Sequence, residues 1–88
     1  MKLKYQFAVR SVAGAHAAVA VGDSSRFYHN VIALNETGAD IFSLIQDGLS
    51  EDQIVEHMLR EYDVTEEVLR PEVQQLIQKL RDEQLLID

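Results

Sequence analysis

The stretch Leu34–Phe42, which reads LNETGADIF, divides the chain into two parts with different patterns. Asn35 is suited to cap a helix, because a side-chain oxygen at this position accepts a hydrogen bond from a backbone N–H of the first turn. Glu36 then lies near the positive end of the helix dipole. Ala39 and Phe42 begin an apolar stripe at helical spacing. The stretch therefore predicts the start of a helical part.

The residues before this stretch predict three short strands that form an antiparallel meander. Tyr5–Val12 alternates apolar and polar side chains, as a half-buried strand does. Gly14 supports a tight turn into a second strand, His16–Val21, because glycine adopts positive φ at low cost. Gly22–Ser25 interrupts the pattern. Phe27–Leu34 is rich in aromatic and β-branched residues and predicts the third strand.

The residues after the stretch predict three helices. The first ends near Gly48, and Ser50 with Gln53 forms the capping-box pattern that starts the second. The third begins at Thr65, and Pro71 within it predicts a kink or a short lead-in turn. The predicted core stripe of this third helix centres on four residues, which are Leu69, Val73, Leu76 and Leu80. Leu85–Ile87 is expected to pack under the sheet.

The composition excludes several classes of protein. The chain has 88 residues, of which 47% are hydrophobic and 26% charged, a balance typical of one folded domain over residues 1–88. It contains no cysteine, which excludes disulfides, thiolate metal sites and thiol catalysis. No segment approaches the ~20 apolar residues of a membrane span. The first residues lack the pattern of a signal peptide, so a cytoplasmic location without membrane association is expected.

The net charge of −7 is distributed unevenly. Residues 1–34 carry four basic residues and one acidic residue, whereas residues 35–69 carry one basic and ten acidic residues. DNA binding depends on neutralising phosphates with basic side chains. The alternative function considered is a winged-helix DNA-binding regulator. The acidic helical part argues against it and against any other nucleic-acid partner, because it would repel the phosphates.

Beyond these patterns, the run LNETGADIF resembles the start of the helical part in the PqqD-like family. These proteins are also called RiPP precursor recognition elements, after the ribosomally made and modified peptides that they serve. The similarity extends upstream through Val19–Gly22 and downstream through Tyr62–Val64 to Leu85 and Leu86. It implies an α+β, winged-helix-like domain with a three-stranded antiparallel sheet (1–34) followed by three α-helices (35–88).

The resemblance also implies a function. The leader of a precursor peptide adds as a strand to the third strand, and its side chains enter a groove beside the third helix. A separate modifying enzyme, often of the radical SAM type, then acts on the peptide. The recognition domain itself is expected to be a non-catalytic peptide chaperone for natural product biosynthesis, with no cofactor and no metal.

Two sets of residues are the predicted peptide-binding site. One is the outward parity of the third strand, formed by Phe27, His29, Val31 and Ala33. The other is one flank of the third helix, formed by Arg70, Gln74, Ile77 and Arg81. An apolar anchor beside two arginines suits a leader with a hydrophobic residue next to an acid, since guanidinium pairs with carboxylate. The alternatives are an ordinary solvated sheet edge and a solvated helix face.

Other candidate sites are weaker. The pair His57 and Glu61 has the spacing of two metal ligands on a helix, but two ligands do not make a site. Ser50 does not stand in the Asp-Ser-Leu order of a carrier protein. The chain shows no nucleophile–base pattern or phosphate loop, which argues against an enzyme. The same exposed sheet edge could also pair two copies of the protein into a homodimer.

Overall fold

The chain passes from strands to helices at Asn35, as its sequence predicts. The computed structural model describes residues 1–87. Its strands are β1 (Lys2–Leu3), β2 (Phe7–Val12), β3 (Ala15–Ala20), β4 (Ile32–Leu34) and β5 (Leu86–Ile87). Its helices are a 3-10 helix (Gly22–Arg26), α1 (Glu36–Gln46), α2 (Glu51–Glu61) and α3 (Glu66–Asp82).

The three strands β2, β3 and β4 form an antiparallel sheet in that order. The predicted three-stranded sheet followed by three helices is therefore confirmed. The turn between β2 and β3 consists of Ala13 and Gly14, which both have positive φ, 51° and 82°. Two-residue turns of this kind match the right-handed twist of a hairpin. The first strand of this sheet, β2, begins at Phe7 rather than at Tyr5.

The third strand is shorter than predicted. Only Ile32–Leu34 pairs with β3, so the prediction of a strand over Phe27–Leu34 is wrong for its first five residues. Continuing the same register, residues 27–29 would need partners at 21–23, where the chain already leaves β3 for the 3-10 helix. The backbone N–H groups of Phe27 and Tyr28 instead donate to the Ser24 carbonyl at 3.0 and 3.1 Å.

A chain of aromatic rings holds this irregular segment against the core. Phe42 contacts Phe7 edge-to-face with ring centroids 5.4 Å apart, and Phe7 contacts Tyr28 in the same way at 5.6 Å. Tyr5 stacks on Tyr28 and on Phe27 at 6.0 and 6.5 Å. Such pairs stabilise beyond the area that they bury. They fix the segment that leads into β4.

The predicted caps of the first two helices are confirmed. The Asn35 side chain accepts a hydrogen bond from Gly38 N–H, and Ser50 with Gln53 forms a complete capping box. Gly38 has a local role in this cap. A Cβ atom at Gly38 would lie 2.9 Å from Asn35 Oδ1, closer than Cβ contacts occur, so an added methyl group would require the capping side chain to shift.

The helix α3 is continuous across Pro71. Pro71 removes one intrahelical donor, and the buried residues Leu69 and Val73 on either side anchor the helix to the core. The predicted core stripe is shifted by part of a turn. Ile77, expected on an exposed flank, is buried at 7% exposure, whereas Leu76, expected at the centre of the stripe, is only half-buried.

The core lies between the inner face of the sheet and the three helices. Its fully buried large side chains are Phe42, Ile32, Ile41, Ile45, Ile54, Met58, Leu80 and Leu85. The end of the chain packs Leu85 into this core, but β5 pairs with β1 rather than with the main sheet. Within residues 1–87, no helix has both the length and the apolar character that crossing a membrane requires.

The cap contact at Asn35 gives a stability prediction. Asn35→Ala should lower the free energy of unfolding by about 0.5–2 kcal/mol, because the Gly38 N–H loses its partner. Gly38→Ala should lower the free energy of unfolding of the native protein. In the Asn35→Ala background it should lower this free energy less, or raise it, because the Cβ no longer meets Oδ1 and alanine favours the helix. Urea unfolding of the two single variants and the double variant measures this coupling, and additive effects would contradict it.

Candidate functional site

The open edge of β4, meaning the edge that faces away from β3, is the first part of the site. Within residues 1–87 β4 pairs with β3 alone, and β5, which could have covered this edge, pairs with β1 instead. Unpaired backbone groups along a strand edge are a template for another chain. The edge is therefore available to an extended peptide.

Two hydrogen bonds establish which way the backbone groups of the sheet point. Val21 N–H donates to the Gln6 carbonyl at 3.0 Å, so odd-numbered residues of β3 face β2 and even-numbered residues face β4. Phe7 N–H, on the far side of β2, donates to Gln46 Oε1 at 2.9 Å. That bond confirms the same alternation. It also occupies part of the opposite edge of the sheet with a side chain from α1.

The alternation places one residue of β4 toward the outside. Ile32 is opposite Ala18 and Leu34 is opposite His16, so these two residues direct their N–H and C=O groups toward β3. Ala33 between them directs both groups to the open edge. Its side chain lies on the outer face of the sheet and is exposed, whereas the Ile32 side chain points to the core.

Asn35 adds one more backbone N–H to the open edge of β4. Its backbone is extended, with φ −85° and ψ 178°, and by the same alternation its N–H points to the open edge. The Asn35 carbonyl is already used, since it accepts the Ala39 N–H at 2.8 Å. The open edge therefore offers two donors, Ala33 N–H and Asn35 N–H, and two acceptors, Ala33 C=O and Val31 C=O, the latter because the carbonyl of a trans peptide points away from the following N–H.

A groove runs alongside this edge, between β4 and α3. This β4–α3 groove has a volume of about 260 Å³. On the strand side it is lined by Ala33, Leu34, Asn35, Gly38 and Ile41, and on the helix side by Glu72, Gln75, Leu76 and Lys79. Its wall is apolar at Leu34 and Leu76 and charged at both ends of the helical side.

A second contact confirms which flank of α3 faces β4. Tyr28, four residues before β4, donates a hydrogen bond from its hydroxyl to Glu83 at 3.3 Å. Glu83 follows the same flank as Glu72 and Lys79 at helical spacing. Burial and the neighbouring Glu83 carboxylate raise the pKa of Tyr28. The segment entering β4 therefore lies beside the C-terminal end of α3.

The structure separates the four residues predicted on the third strand. Only Ala33 belongs to β4. Phe27 and Val31 are 69% and 62% exposed, which leaves two large apolar side chains on the surface of the segment that enters the strand. His29 is also exposed, and its Nε2 lies 3.1 Å from the Arg26 carbonyl.

The predicted flank of the third helix lies on the side of α3 away from β4. Gln74, Ile77 and Arg81 line a different depression that includes Glu51 of α2 and no residue of the sheet. Gln74 donates to Glu51 at 3.2 Å. The structure thus does not bring these residues together with Ala33. The residues that do border β4 are on the opposite flank.

Arg70 connects α3 to the start of α2. It contacts Asp52 at 2.9 Å, Glu51 at 2.7 Å and Glu66 at 3.0 Å. Hydrogen bonds to these carboxylates, that to Asp52 first, raise the pKa of Arg70 above its ordinary value. The Nε and Nη1 groups of this guanidinium therefore serve contacts within α3 and between α3 and α2.

Another groove, of about 500 Å³, lies between α1 and α2. It includes Asp40, His57, Glu61 and Tyr62, and the distance between His57 Nε2 and Glu61 Oε1 is 3.9 Å. In the described residues no three His, Cys, Asp or Glu side chains form a group suited to a metal ion. The groove is larger than the one at β4, but it lacks a sheet edge, so we place the candidate site at β4.

Sequence patterns alone did not identify the helical residues of the β4–α3 groove, which include Glu72, Leu76 and Lys79. Helical spacing places Glu72 and Lys79 on one shoulder of the buried stripe and Arg70 and Gln74 on the other. Choosing between the two shoulders requires the tilt of α3 against the sheet. That tilt depends on contacts distant in sequence, such as the one between Tyr28 and Glu83.

The α1–α2 groove gives a pH prediction. The Tyr62 hydroxyl donates to the Asp40 carboxylate, and this hydrogen bond raises the pKa of Tyr62 to about 12. A raised pKa in the folded state means that the contact stabilises fully below the unfolded value of about 10 and that its contribution is lost as the pH rises through 12. Asp40→Asn should return the Tyr62 transition toward 10 in an ultraviolet tyrosinate titration.

The Tyr62→Phe variant, which removes one of the three tyrosine transitions, identifies the one that belongs to Tyr62. A Tyr62 that already ionises near its ordinary pKa in the native protein would contradict the contact.

Comparison with known proteins identifies the family of the chain. The family model "Coenzyme PQQ synthesis protein D (PqqD)" matches residues 15–86. No curated protein matches the chain. The solved structure "TbiB1 in Complex with the TbiA(beta) Leader Peptide" has the same fold, with a TM-score of 0.70, 18% sequence identity and coverage of 100% of both chains. Because the family match spans most of the chain, the protein belongs to the PqqD family.

Proposed function

We propose that this protein binds the leader of a ribosomally made precursor peptide by strand addition at the open edge of β4. The observation that supports this most strongly is the outward-facing row formed by Ala33 and Asn35, beside a groove on α3. Strand addition gives affinity through backbone hydrogen bonds and specificity through pockets for alternate side chains. Membership of the PqqD family and a fold shared with a protein solved with a leader peptide support the same role.

The short edge implies that the groove contributes much of the affinity. Four backbone hydrogen bonds at about 0.5–1.5 kcal/mol each supply about 2–6 kcal/mol. Micromolar binding requires about 8 kcal/mol. Side chains of the leader must therefore bury apolar surface against Leu34 and Leu76 and along the exposed Phe27 and Val31.

We propose in addition that the protein is non-catalytic and presents the bound leader to a separate modifying enzyme, for which a radical SAM enzyme is one candidate. The open edge could also join two copies of the protein through β4. Leader and second copy would compete for the same backbone groups, so sedimentation of the protein with and without leader separates the two uses of the edge.

An NMR titration tests the placement of the site. Labelled protein is titrated with synthetic candidate leader peptides. The amides of Ala33 and Asn35 and the methyl groups of Leu76 should shift together along one binding isotherm. A saturable shift confined to Asp40, His57 and Tyr62, which lie in the α1–α2 groove, would refute strand addition at β4.

A proline substitution tests the role of the backbone. Ala33→Pro removes an N–H that points away from β3, so the sheet keeps its internal hydrogen bonds while the leader loses one. Leader affinity should fall at least about fivefold, since one hydrogen bond contributes about 1 kcal/mol. Isothermal calorimetry measures this loss.

The matched control for this variant is Ser11→Pro. Ser11 lies on β2 with its N–H directed away from β3, at the opposite edge of the sheet. Ser11→Pro should leave leader affinity unchanged. Equal affinity of Ala33→Pro and the native protein, with thermal unfolding showing both folded, would contradict strand addition.

A further inference from the structure

Two opposite charges stand on the helical wall of the β4–α3 groove. Glu72 and Lys79 are both exposed and lie two turns apart on α3, with the half-buried Leu76 between them. Across residues 1–87 neither makes an ion pair with another side chain. Their charges are therefore available to a guest in the groove, and they differ in sign at its two ends.

The spacing of these three side chains matches one face of a strand. Seven residues of helix separate Glu72 from Lys79 by about 10.5 Å along the axis. In an extended guest, alternate residues on one face are about 6.8 Å apart, so residues i and i+4 are about 13.6 Å apart. The long and flexible lysine side chain absorbs the difference of about 3 Å. The residue i+2 then lies over Leu76.

The direction of β4 decides in which order a bound peptide passes Glu72, Leu76 and Lys79. The contact of Tyr28 with Glu83 places the start of β4 near the Lys79 end of the groove and its end near Glu72. The sheet is antiparallel throughout, and antiparallel pairs are the more common kind. An antiparallel guest passes Glu72 first and Lys79 last.

We infer that the groove selects leader segments with the order base–x–apolar–x–acid. The base lies beside Glu72, the apolar residue on Leu76 and the acid beside Lys79. This inference rests on the proposed function and specifies its substrate class. Each ion pair at such a surface contributes little affinity. The reversed order, however, replaces two attractions by two like-charge contacts, and such repulsion is an effective source of specificity.

The experiment uses a displayed library of random dodecapeptides as the probe. Three immobilised proteins are compared, each checked by thermal unfolding. They are the native protein, the exchange variant Glu72→Lys with Lys79→Glu, and a control exchange Glu56→Arg with Arg60→Glu. The control inverts an exposed i,i+4 pair on α2, away from the groove, and leaves the net charge unchanged, as the groove exchange does.

In the native protein and the control, recovered peptides with base–x–apolar–x–acid should outnumber those with acid–x–apolar–x–base about tenfold. The exchange variant should invert this ratio. An unchanged ratio in the exchange variant, no preference in the native protein, or a native preference for the acid-first order would overturn the inference.

A second binding test distinguishes failure of the charge-order inference from failure of the proposed function. Peptides recovered on the native protein are tested against Ala33→Pro. Weaker binding there, together with no charge-order preference, would leave strand addition standing and refute only the inference. Equal binding to Ala33→Pro, or no recovery above background, would contradict the proposed function and the inference with it.

Discussion

Backbone hydrogen bonding along β4 is satisfied on one edge only, and the rest of the proposed site follows from that constraint. The register with β3 uses the groups of Ile32 and Leu34, which leaves those of Ala33 directed outward. Exposed strand edges promote unwanted pairing, and short edge strands limit this risk. Here β4 has three residues and passes directly into the Asn35 cap of α1, while a side chain from α1 binds the Phe7 N–H on the other edge of the sheet.

The parts of the fold that sequence could predict are those decided locally. The Asn35 cap and the Ser50 capping box depend on residues within one turn, and the turn at Gly14 depends on its own φ. The strand at 27–34 was overpredicted, because β-branched and aromatic composition does not reveal whether a partner strand exists. β3 ends at Ala20, and the Ser24 carbonyl holds the N–H groups of Phe27 and Tyr28.

Of the four strand residues predicted for the site only Ala33 lies on β4, and the sequence did not indicate which flank of α3 borders that strand. Leu76 and Ile77 are neighbours separated by about 100° around α3, so a small rotation decides which is buried and which borders the groove. That rotation is fixed by the core packing of the buried α3 residues Leu69, Val73, Ile77 and Leu80, and contacts on both flanks agree with it. Arg70 binds Glu51 and Asp52 of α2 on one side, and Glu83 receives the Tyr28 hydroxyl on the other. The first contact joins α3 to α2, and the second lies on the flank that carries Glu72 and Lys79 beside the strand.

Amide hydrogen exchange, followed by NMR in the free and the leader-bound protein, tests the central claim most directly. In the free protein the amides of Ile32 and Leu34, bonded to β3, should exchange slowly, and the intervening Ala33 amide should exchange fast. Adding leader should slow exchange at Ala33 and leave its two neighbours unchanged. A protected Ala33 in the free protein at low concentration, or an Ala33 that still exchanges fast when leader is saturating, would contradict the account.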